Sequence, residues 1–203
     1  MSNEDVPELL SIWDEARGHI EKGDYNKAIE TYKYVLVMYS DNGVAVEFAS
    51  AYLGDLYLTM RRLNLAEKHL KKAIRLAPKK AHYHYLLGFT YSVGEHWARA
   101  VKEFEKALEL DPYNGEYVRG LGWAVFNGGD RGNGLSHLYR AIELSPANTN
   151  ALTDLATAMM MLGNMVKAKE YGERAVQADP GNVLAYRLLE RVEDSEHIQR
   201  REG

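Results

Sequence analysis

The sequence lacks cysteine, which excludes disulfides, thiol nucleophiles and zinc sites of the cysteine type. It also lacks an apolar run long enough to cross a bilayer as a helix. The first ten residues, MSNEDVPELL, lack the basic and apolar segments of a signal peptide, so we expect a cytoplasmic protein. The formal net charge of −4 is small for 203 residues and indicates no polyanionic partner.

Patterns typical of enzymes are missing as well. The sequence has no nucleophile elbow, no metal-ligand spacing and no pair of carboxylates set in an apolar pocket. His82 and His84 are two residues apart on a predicted helix, point in different directions and therefore cannot share a metal. The glycine-rich segment 127–134 follows a predicted helix, whereas a phosphate-binding loop follows a strand. We expect no catalysis, no cofactor and no metal.

What the sequence does contain is a repeat. Two amphipathic helices with apolar residues at i, i+3, i+4 and i+7 are joined by a tight turn and closed by a proline, and the whole pattern recurs every 34 residues. The markers are the pairs Leu53-Gly54, Leu87-Gly88, Leu121-Gly122 and Leu155-Ala156, the alanines Ala73, Ala107, Ala141 and Ala175, and the prolines Pro78, Pro112, Pro146 and Pro180. With 46% apolar residues, the chain can bury a substantial core.

This pattern resembles the tetratricopeptide repeat (TPR). The resemblance implies an all-α fold, a right-handed α-solenoid of helix-turn-helix repeats in a single array over residues 1–203. We expect repeats at 9–42, 47–80, 81–114, 115–148 and 149–182, followed by a capping helix at 183–198. The first copy is looser than the others, and residues 43–46 are expected to add one turn to the helix that follows.

Two local departures from the family pattern lead to further expectations. Arg61 and Arg62 stand where the family usually places glycine, so that turn is expected to be tighter or shifted. Gly120 and Gly134 have no evident packing reason, and each glycine inside a helix costs about 1 kcal/mol relative to alanine. We therefore expect the fourth repeat to be the least stable, or the place where the array flexes.

In the TPR family, a second stripe on the first helix of each repeat lines a concave groove that binds partners. The resemblance assigns to that groove Trp13, Arg17, Phe48, Tyr52, His82, Tyr85, Leu86, Phe89, Arg119, Trp123, Phe126, Asn127, Asp154, Met160 and Arg187. Asp55 and Thr59 belong to the same stripe. Because its middle is aromatic, these helices are apolar on two sides and need cover on both. Either a partner segment supplies that cover, or the array curls so that the side chains cover each other.

One known TPR recognition mode is excluded by the residues. The carboxylate clamp that holds C-terminal chaperone tails needs lysine, asparagine, asparagine, lysine and arginine at fixed positions of three successive repeats. The first register offers Trp13, Arg17, Tyr52, His82 and Leu86, and the other two registers fail as well. We therefore expect recognition of an apolar extended peptide or an amphipathic helix.

The sequence thus predicts a non-enzymatic adaptor, scaffold or chaperone-like module, with a self-assembling homo-oligomeric scaffold as the alternative. The outer helix of the second repeat carries a basic stretch with two possible roles. It comprises Arg61, Arg62, Lys68, Lys71, Lys72, Arg75, Lys79 and Lys80. It is either a solvated face or a contact for nucleic acid or anionic lipid. No aromatic residues interleave for base stacking, so we expect no nucleic-acid partner.

Overall fold

The structure, a computed structural model, describes residues 5–202, with side chains described for residues 7–195. Within that part the chain forms eleven α-helices. They are α1 (Asp5–Glu21), α2 (Tyr25–Met38), α3 (Gly43–Thr59), α4 (Leu63–Leu76), α5 (Ala81–Val93), α6 (Trp97–Leu110), α7 (Gly115–Asn127), α8 (Arg131–Leu144), α9 (Thr149–Met161), α10 (Met165–Ala178) and α11 (Val183–Glu202). Each odd-numbered helix up to α9 packs against the helix that follows it. The predicted all-α fold of helix-turn-helix repeats is confirmed.

The helices form two compact units that divide after Leu110. Unit 1 comprises α1–α6 and unit 2 comprises α7–α11. In unit 1, α2 contacts α3 and α4 contacts α5, so successive pairs are joined, and α3 also touches α5 directly. In unit 2, α8 contacts α9, and α11 packs on both α9 and α10. The helix α3 has 17 residues whereas α5 has 13, because residues 43–46 are helical.

Close approach between paired helices explains the small residues that recur every 34 positions. A Cβ atom added at Gly54 would lie 2.5 Å from Cγ of Leu70. At Gly88 it would lie 2.9 Å from the ring of Phe104. Both Leu70 and Phe104 are fully buried, so neither has free space into which to retreat.

Gly134 corrects a sequence-based expectation. It is buried in α8, and a Cβ there would lie 2.5 Å from the backbone nitrogen of Phe126 in α7. On the facing helix, a Cβ at Gly122 would lie 3.0 Å from the carbonyl oxygen of Gly134. The expectation that Gly134 has no packing reason was wrong, because it lets the two backbones of this pair approach each other.

The turns within the helix pairs correct a second expectation. One residue in each turn has a positive φ: Gly23 (76°), Arg61 (55°), Glu95 (59°), Gly129 (109°) and Gly163 (76°). In each turn the next N–H donates to a carbonyl five residues back, for example from Arg62 to Tyr57 at 2.7 Å. The turn at Arg61 is therefore neither tighter nor shifted. It is the same turn, with a non-glycine residue held in the left-handed region.

Asparagines fix where many of the helices begin. The side-chain oxygens of Asn42, Asn114 and Asn148 accept hydrogen bonds from backbone N–H groups at the starts of α3, α7 and α9. Asn182 does the same for α11. These caps satisfy backbone N–H groups in the first turns of the four helices and so fix where each of them begins.

Candidate functional site

The first helices of the three pairs in unit 1 present one common face, which we call the inner face of unit 1. It is formed by α1, α3 and α5 and includes Trp13, Phe48, Tyr52, Asp55 and Phe89. Because side chains four residues apart stack on the same side of a helix, Phe48, Tyr52 and the residues beyond them follow one line along α3. Amphipathic helices normally leave such a line polar, whereas here it is largely aromatic.

One end of the inner face is an aromatic cluster built on a buried ring. Tyr32 of α2 is buried, and its ring stacks on that of Tyr52 with a centroid distance of 5.1 Å and an interplanar angle of 2°. The indole of Trp13 lies 5.4 Å from the ring of Tyr32 and 6.1 Å from that of Tyr52. Each ring is thus held by two others, so this end of the inner face is preformed.

A second aromatic series runs along α5. The ring of His82 stacks on that of Tyr85 at 6.0 Å, and Tyr85 stacks on Phe89 at 6.3 Å. Despite these contacts, Phe89 remains 37% exposed, and on α3 Phe48 and Tyr52 remain 40% and 46% exposed. The chain's own atoms therefore leave apolar surface uncovered on this face, and mutual covering is incomplete.

In the part of the chain that the structure describes, we consider three cavities along the inner face. The largest, of about 570 Å³, lies between α1 and α3 beside Trp13, Phe48 and Tyr52. Two others lie between α3 and α5: one of about 180 Å³ beside Phe48 and His82, and one of about 500 Å³ beside Phe89. Asp55 borders all three cavities.

Asp55 brings a negative charge to the inner face. Its carboxylate is open to solvent at the mouth of the cavities, yet the side chains packed around it displace much of its hydration. This desolvation raises the pKa of the Asp55 carboxyl, and the nearby His82 opposes the shift. At the end of the face, Arg17 is engaged by Asp14, with Nη2 2.7 Å from Oδ1.

Among the predicted residues of unit 1, the structure places Trp13, Arg17, Phe48, Tyr52, His82, Tyr85, Leu86 and Phe89 on the inner face. Trp13 and Tyr85 are half-buried, and Arg17 and His82 are exposed. Leu86 is buried beneath the surface and forms part of the floor of two cavities.

In unit 2, the predicted stripe is occupied at its start by an internal ion pair. Arg119 is only 8% exposed, with Nε 2.9 Å from Glu116 and Nη1 2.7 Å from Oδ2 of Asp154. Glu116 also accepts a hydrogen bond from Asn148 at 2.6 Å. These groups tie α7 to α9 within the unit, so they are not displayed as separate charges.

The remaining predicted residues of unit 2 are mixed in character. Phe126 is buried, and its ring stacks at 6.3 Å on that of Trp123, which is half-buried. The side-chain amide of Asn127 donates to the carbonyl of Trp123 at 2.8 Å. Met160 is half-buried, and Arg187 is exposed on α11. Unit 2 thus offers less exposed aromatic surface at the predicted positions than unit 1 does.

Two residues of the inner face, Tyr32 and Asp55, were not singled out from the sequence. Tyr32 was not among the residues assigned to the groove, yet it supports Tyr52 and borders the largest of the three cavities. Asp55 was one member of a stripe, and nothing in the repeat pattern marked it as the residue common to three cavities. The signal available was its lack of an oppositely charged residue three or four positions away on α3.

The two histidines of α5 lie on different sides, as predicted. His84 is buried, with Nδ1 2.8 Å from Oε2 of Glu103 in α6 and Nε2 3.2 Å from the carbonyl oxygen of Pro78. The described residues contain no group of three or more histidine, aspartate or glutamate side chains that could hold a metal ion. In the same part of the chain, no helix has the length and apolar character that a membrane crossing requires.

The basic residues of α4 differ in their surroundings. Lys71 is paired with Glu67 at 2.7 Å, and Glu67 also pairs with Arg99 of α6 at 2.6 Å. The hydroxyl of Tyr91 donates to the same carboxylate at 3.0 Å. Lys72 is half-buried, whereas Lys68 and Arg75 are exposed. Part of the basic stretch is therefore neutralised within unit 1, and part is in contact with solvent.

Comparison with known structures shows the same fold in other proteins. MamA has a TM-score of 0.65 and 22% identity, with 81% of this chain and 94% of MamA covered. YrrB, described as a TPR protein with an unusual peptide-binding site, has a TM-score of 0.60 and 22% identity, covering 85% and 87% of the two chains. TTC0263, a thermophilic TPR protein of Thermus thermophilus, has a TM-score of 0.76 and 14% identity, covering 91% and 98%. No curated protein sequence matches this chain.

Family profiles agree with the structural likeness. Three profiles described as tetratricopeptide repeat match residues 53–80, 81–114 and 128–192, which together make up more than half of the chain. The markers that recur every 34 residues, the helix pairs they produce and these matches lead to one conclusion: the chain belongs to the tetratricopeptide repeat family.

Proposed function

We propose that this chain is a non-enzymatic protein-binding module whose inner face of unit 1 receives an apolar segment of another protein. The single observation that supports this most directly is the exposure of Phe48, Tyr52 and Phe89 beside preformed cavities. Exposed apolar surface with polar residues at its rim is typical of interaction sites, and rigid aromatic rings are typical anchors. YrrB, which has the same fold, is described as having a peptide-binding site, and this fits the proposal.

The form of the segment follows from the face. The cavities are separate and lie between successive first helices, so the occupant must place side chains in several of them at intervals. Both an extended peptide and an amphipathic helix can do this. The residues that carry the proposal are Trp13, Phe48, Tyr52, Tyr85 and Phe89. Leu86, Arg119 and Phe126 are buried, and the proposal does not depend on them.

Selection of random dodecapeptides displayed on phage against the full chain tests this function. We expect selected peptides to bind the wild type and to lose binding when Phe48→Ala and Phe89→Ala are combined. The matched control is Tyr34→Ala with Val37→Ala, which removes an exposed ring and an exposed aliphatic group from α2 of the same unit. Equal binding by both double variants would show that the inner face is not the site.

A second candidate function is self-assembly through the last helix. On α11, Val183, Leu184 and Tyr186 are exposed, with Leu184 at 72%. Exposed apolar residues at the end of a repeat stack favour association with another copy. Sedimentation velocity over a range of concentrations tests this: an oligomer that dissociates with Leu184→Glu supports assembly, and a monomer at all concentrations excludes it.

A further inference from the structure

The inner face of unit 1 carries one charge that its aromatic surroundings do not explain. Asp55 borders all three cavities, two of them together with Tyr52 and two of them together with residues of α5. In the described part of the chain, no hydrogen bond or ion pair reaches its carboxylate. Because the side chain is exposed and unpaired, its carboxylate is available to an occupant of the face.

The neighbouring charged groups do not pair with this carboxylate. Arg17 is held by Asp14 at 2.7 Å, and Glu47 accepts a hydrogen bond from the hydroxyl of Tyr83 at 2.9 Å. The ring of His82 is stacked on Tyr85 and makes no hydrogen bond to Asp55. Arg61 lines the cavity beside Phe89 together with Asp55, but among the described residues it forms no ion pair with Asp55. The Asp55 carboxylate therefore lies unpaired beside aromatic rings.

When a partner segment binds, the charge of Asp55 affects which segments the inner face accepts. Any segment that covers the cavities also removes water from the Asp55 carboxylate. Covering an ionised carboxylate without a counter-charge is costly, so a neutral or acidic occupant is disfavoured. A cation in the occupant reverses the effect, because it pairs with the carboxylate and contacts the faces of the surrounding rings. The same residue thus attracts one class of partner and rejects another.

We propose that the occupant of the inner face carries a lysine or arginine that pairs with Asp55, flanked by apolar side chains that enter the cavities beside Phe48 and Phe89. This inference rests on the proposed function and specifies the chemistry of the partner. The raised pKa of the Asp55 carboxyl agrees with it, because a desolvated carboxylate gains most from a new counter-charge.

The dodecapeptide selection described above tests the inference through the composition of the selected peptides. We expect lysine or arginine flanked by aliphatic or aromatic residues to be enriched over the unselected library. Peptides chosen by the wild type should bind Asp55→Asn about tenfold more weakly, equivalent to about 1.4 kcal/mol. Asp41→Asn is the matched control, because it removes one exposed carboxylate of unit 1 that borders none of the three cavities. The affinity of the selected peptides for this variant should equal their affinity for the wild type.

A charge reversal sharpens the test. Selection against Asp55→Lys should enrich aspartate or glutamate in place of the basic residue. Circular dichroism establishes that each variant is folded, and if Asp55→Lys does not fold, the asparagine variant decides alone. The inference would be overturned if the peptides selected by the wild type were not enriched in lysine or arginine. It would also be overturned if those peptides bound Asp55→Asn as tightly as the wild type.

The outcomes also separate this inference from the proposed function. The selected peptides could lack a basic residue and still lose binding to the variant that combines Phe48→Ala and Phe89→Ala. That result would support the proposed function and contradict only the inference that the occupant carries a cation. Peptides insensitive to all these changes would remove both. If sedimentation shows a dimer of the wild type that Asp55→Asn dissociates, the occupant is a second copy of this chain, and the proposal of a foreign partner is wrong.

Discussion

The phenol ring of Tyr32 lies parallel to that of Tyr52, with 5.1 Å between the ring centroids. The ring of Tyr32, in α2, is buried, whereas the ring of Tyr52 is exposed on the inner face of unit 1. A residue of the core thereby fixes the position of a residue of the candidate site. The stability of unit 1 and the shape of its inner face are coupled through this pair.

Replacing Tyr32 with leucine tests that coupling. We expect a loss of about 1–3 kcal/mol in the free energy of unfolding, because a buried aromatic contact is removed and a void is left. Urea denaturation followed by circular dichroism measures it. Tyr32→Phe keeps the ring and serves as the control, with a smaller loss. A leucine variant as stable as the phenylalanine variant would show that the stack contributes nothing.

The turns provide a stabilising prediction. Arg61 and Glu95 have positive φ where Gly23, Gly129 and Gly163 have the same conformation without a Cβ. Since a side chain in the left-handed region costs roughly 1–2 kcal/mol, Arg61→Gly and Glu95→Gly should each stabilise the protein by up to about 1 kcal/mol after the entropic cost of glycine. The midpoint of thermal unfolding measures this. Gly129→Ala should shift the midpoint the other way, and the same sign for both kinds of change would refute the account.

The contact between α7 and α8 gives a prediction with a control in the same helix. Gly134→Ala places a methyl group within 2.5 Å of the backbone of Phe126 and should destabilise the protein by about 1–3 kcal/mol. Gly132→Ala meets nothing closer than 4.0 Å and should stabilise it by up to about 1 kcal/mol. Urea denaturation of the two variants should therefore show opposite changes. If both substitutions stabilised the protein, α7 and α8 would have to move apart at little cost in free energy.

His69 predicts a dependence of stability on pH. Burial against Tyr57, together with the charges of Lys68, Lys72 and Lys33, lowers the pKa of His69 to about 4. The unfolded chain binds the proton near pH 6.5, so between about pH 6.5 and 4 the unfolded state holds more protons and stability falls as the pH falls. Above that window the histidine is neutral in both states and contributes no pH dependence.

The variant His69→Gln isolates this contribution. Between pH 7 and pH 5 the wild type should lose about 1 kcal/mol more than the variant, a figure that allows for solvent screening of a half-buried ring. Urea denaturation at the two pH values measures the difference. Carboxylates that titrate at lower pH contribute equally to both proteins and cancel in the comparison. Identical losses would show that the ring of His69 is hydrated in the folded state.

The sequence predicted some parts of the candidate site and missed others for identifiable reasons. Phe48 and Phe89 were assigned to one stripe from the repeat, and both border cavities of the inner face. Gly134 was misjudged, because its neighbour Phe126 belongs to another helix and no local pattern reports their distance. Arg61 was misjudged because an unfavourable residue does not by itself change a turn that its flanking helices impose.

The sequence by itself determined that the chain is a series of helix pairs of the tetratricopeptide repeat family. A fixed period of small residues, alanines and prolines leaves one way to pack each pair. Only the tertiary structure decided which members of the second stripe stay exposed. Arg119 is enclosed by carboxylates from α7 and α9, while Asp55 remains unpaired among aromatic rings. The reason is physical: periodicity sets the direction of a side chain, whereas its exposure and its partners depend on what the neighbouring helices place opposite it.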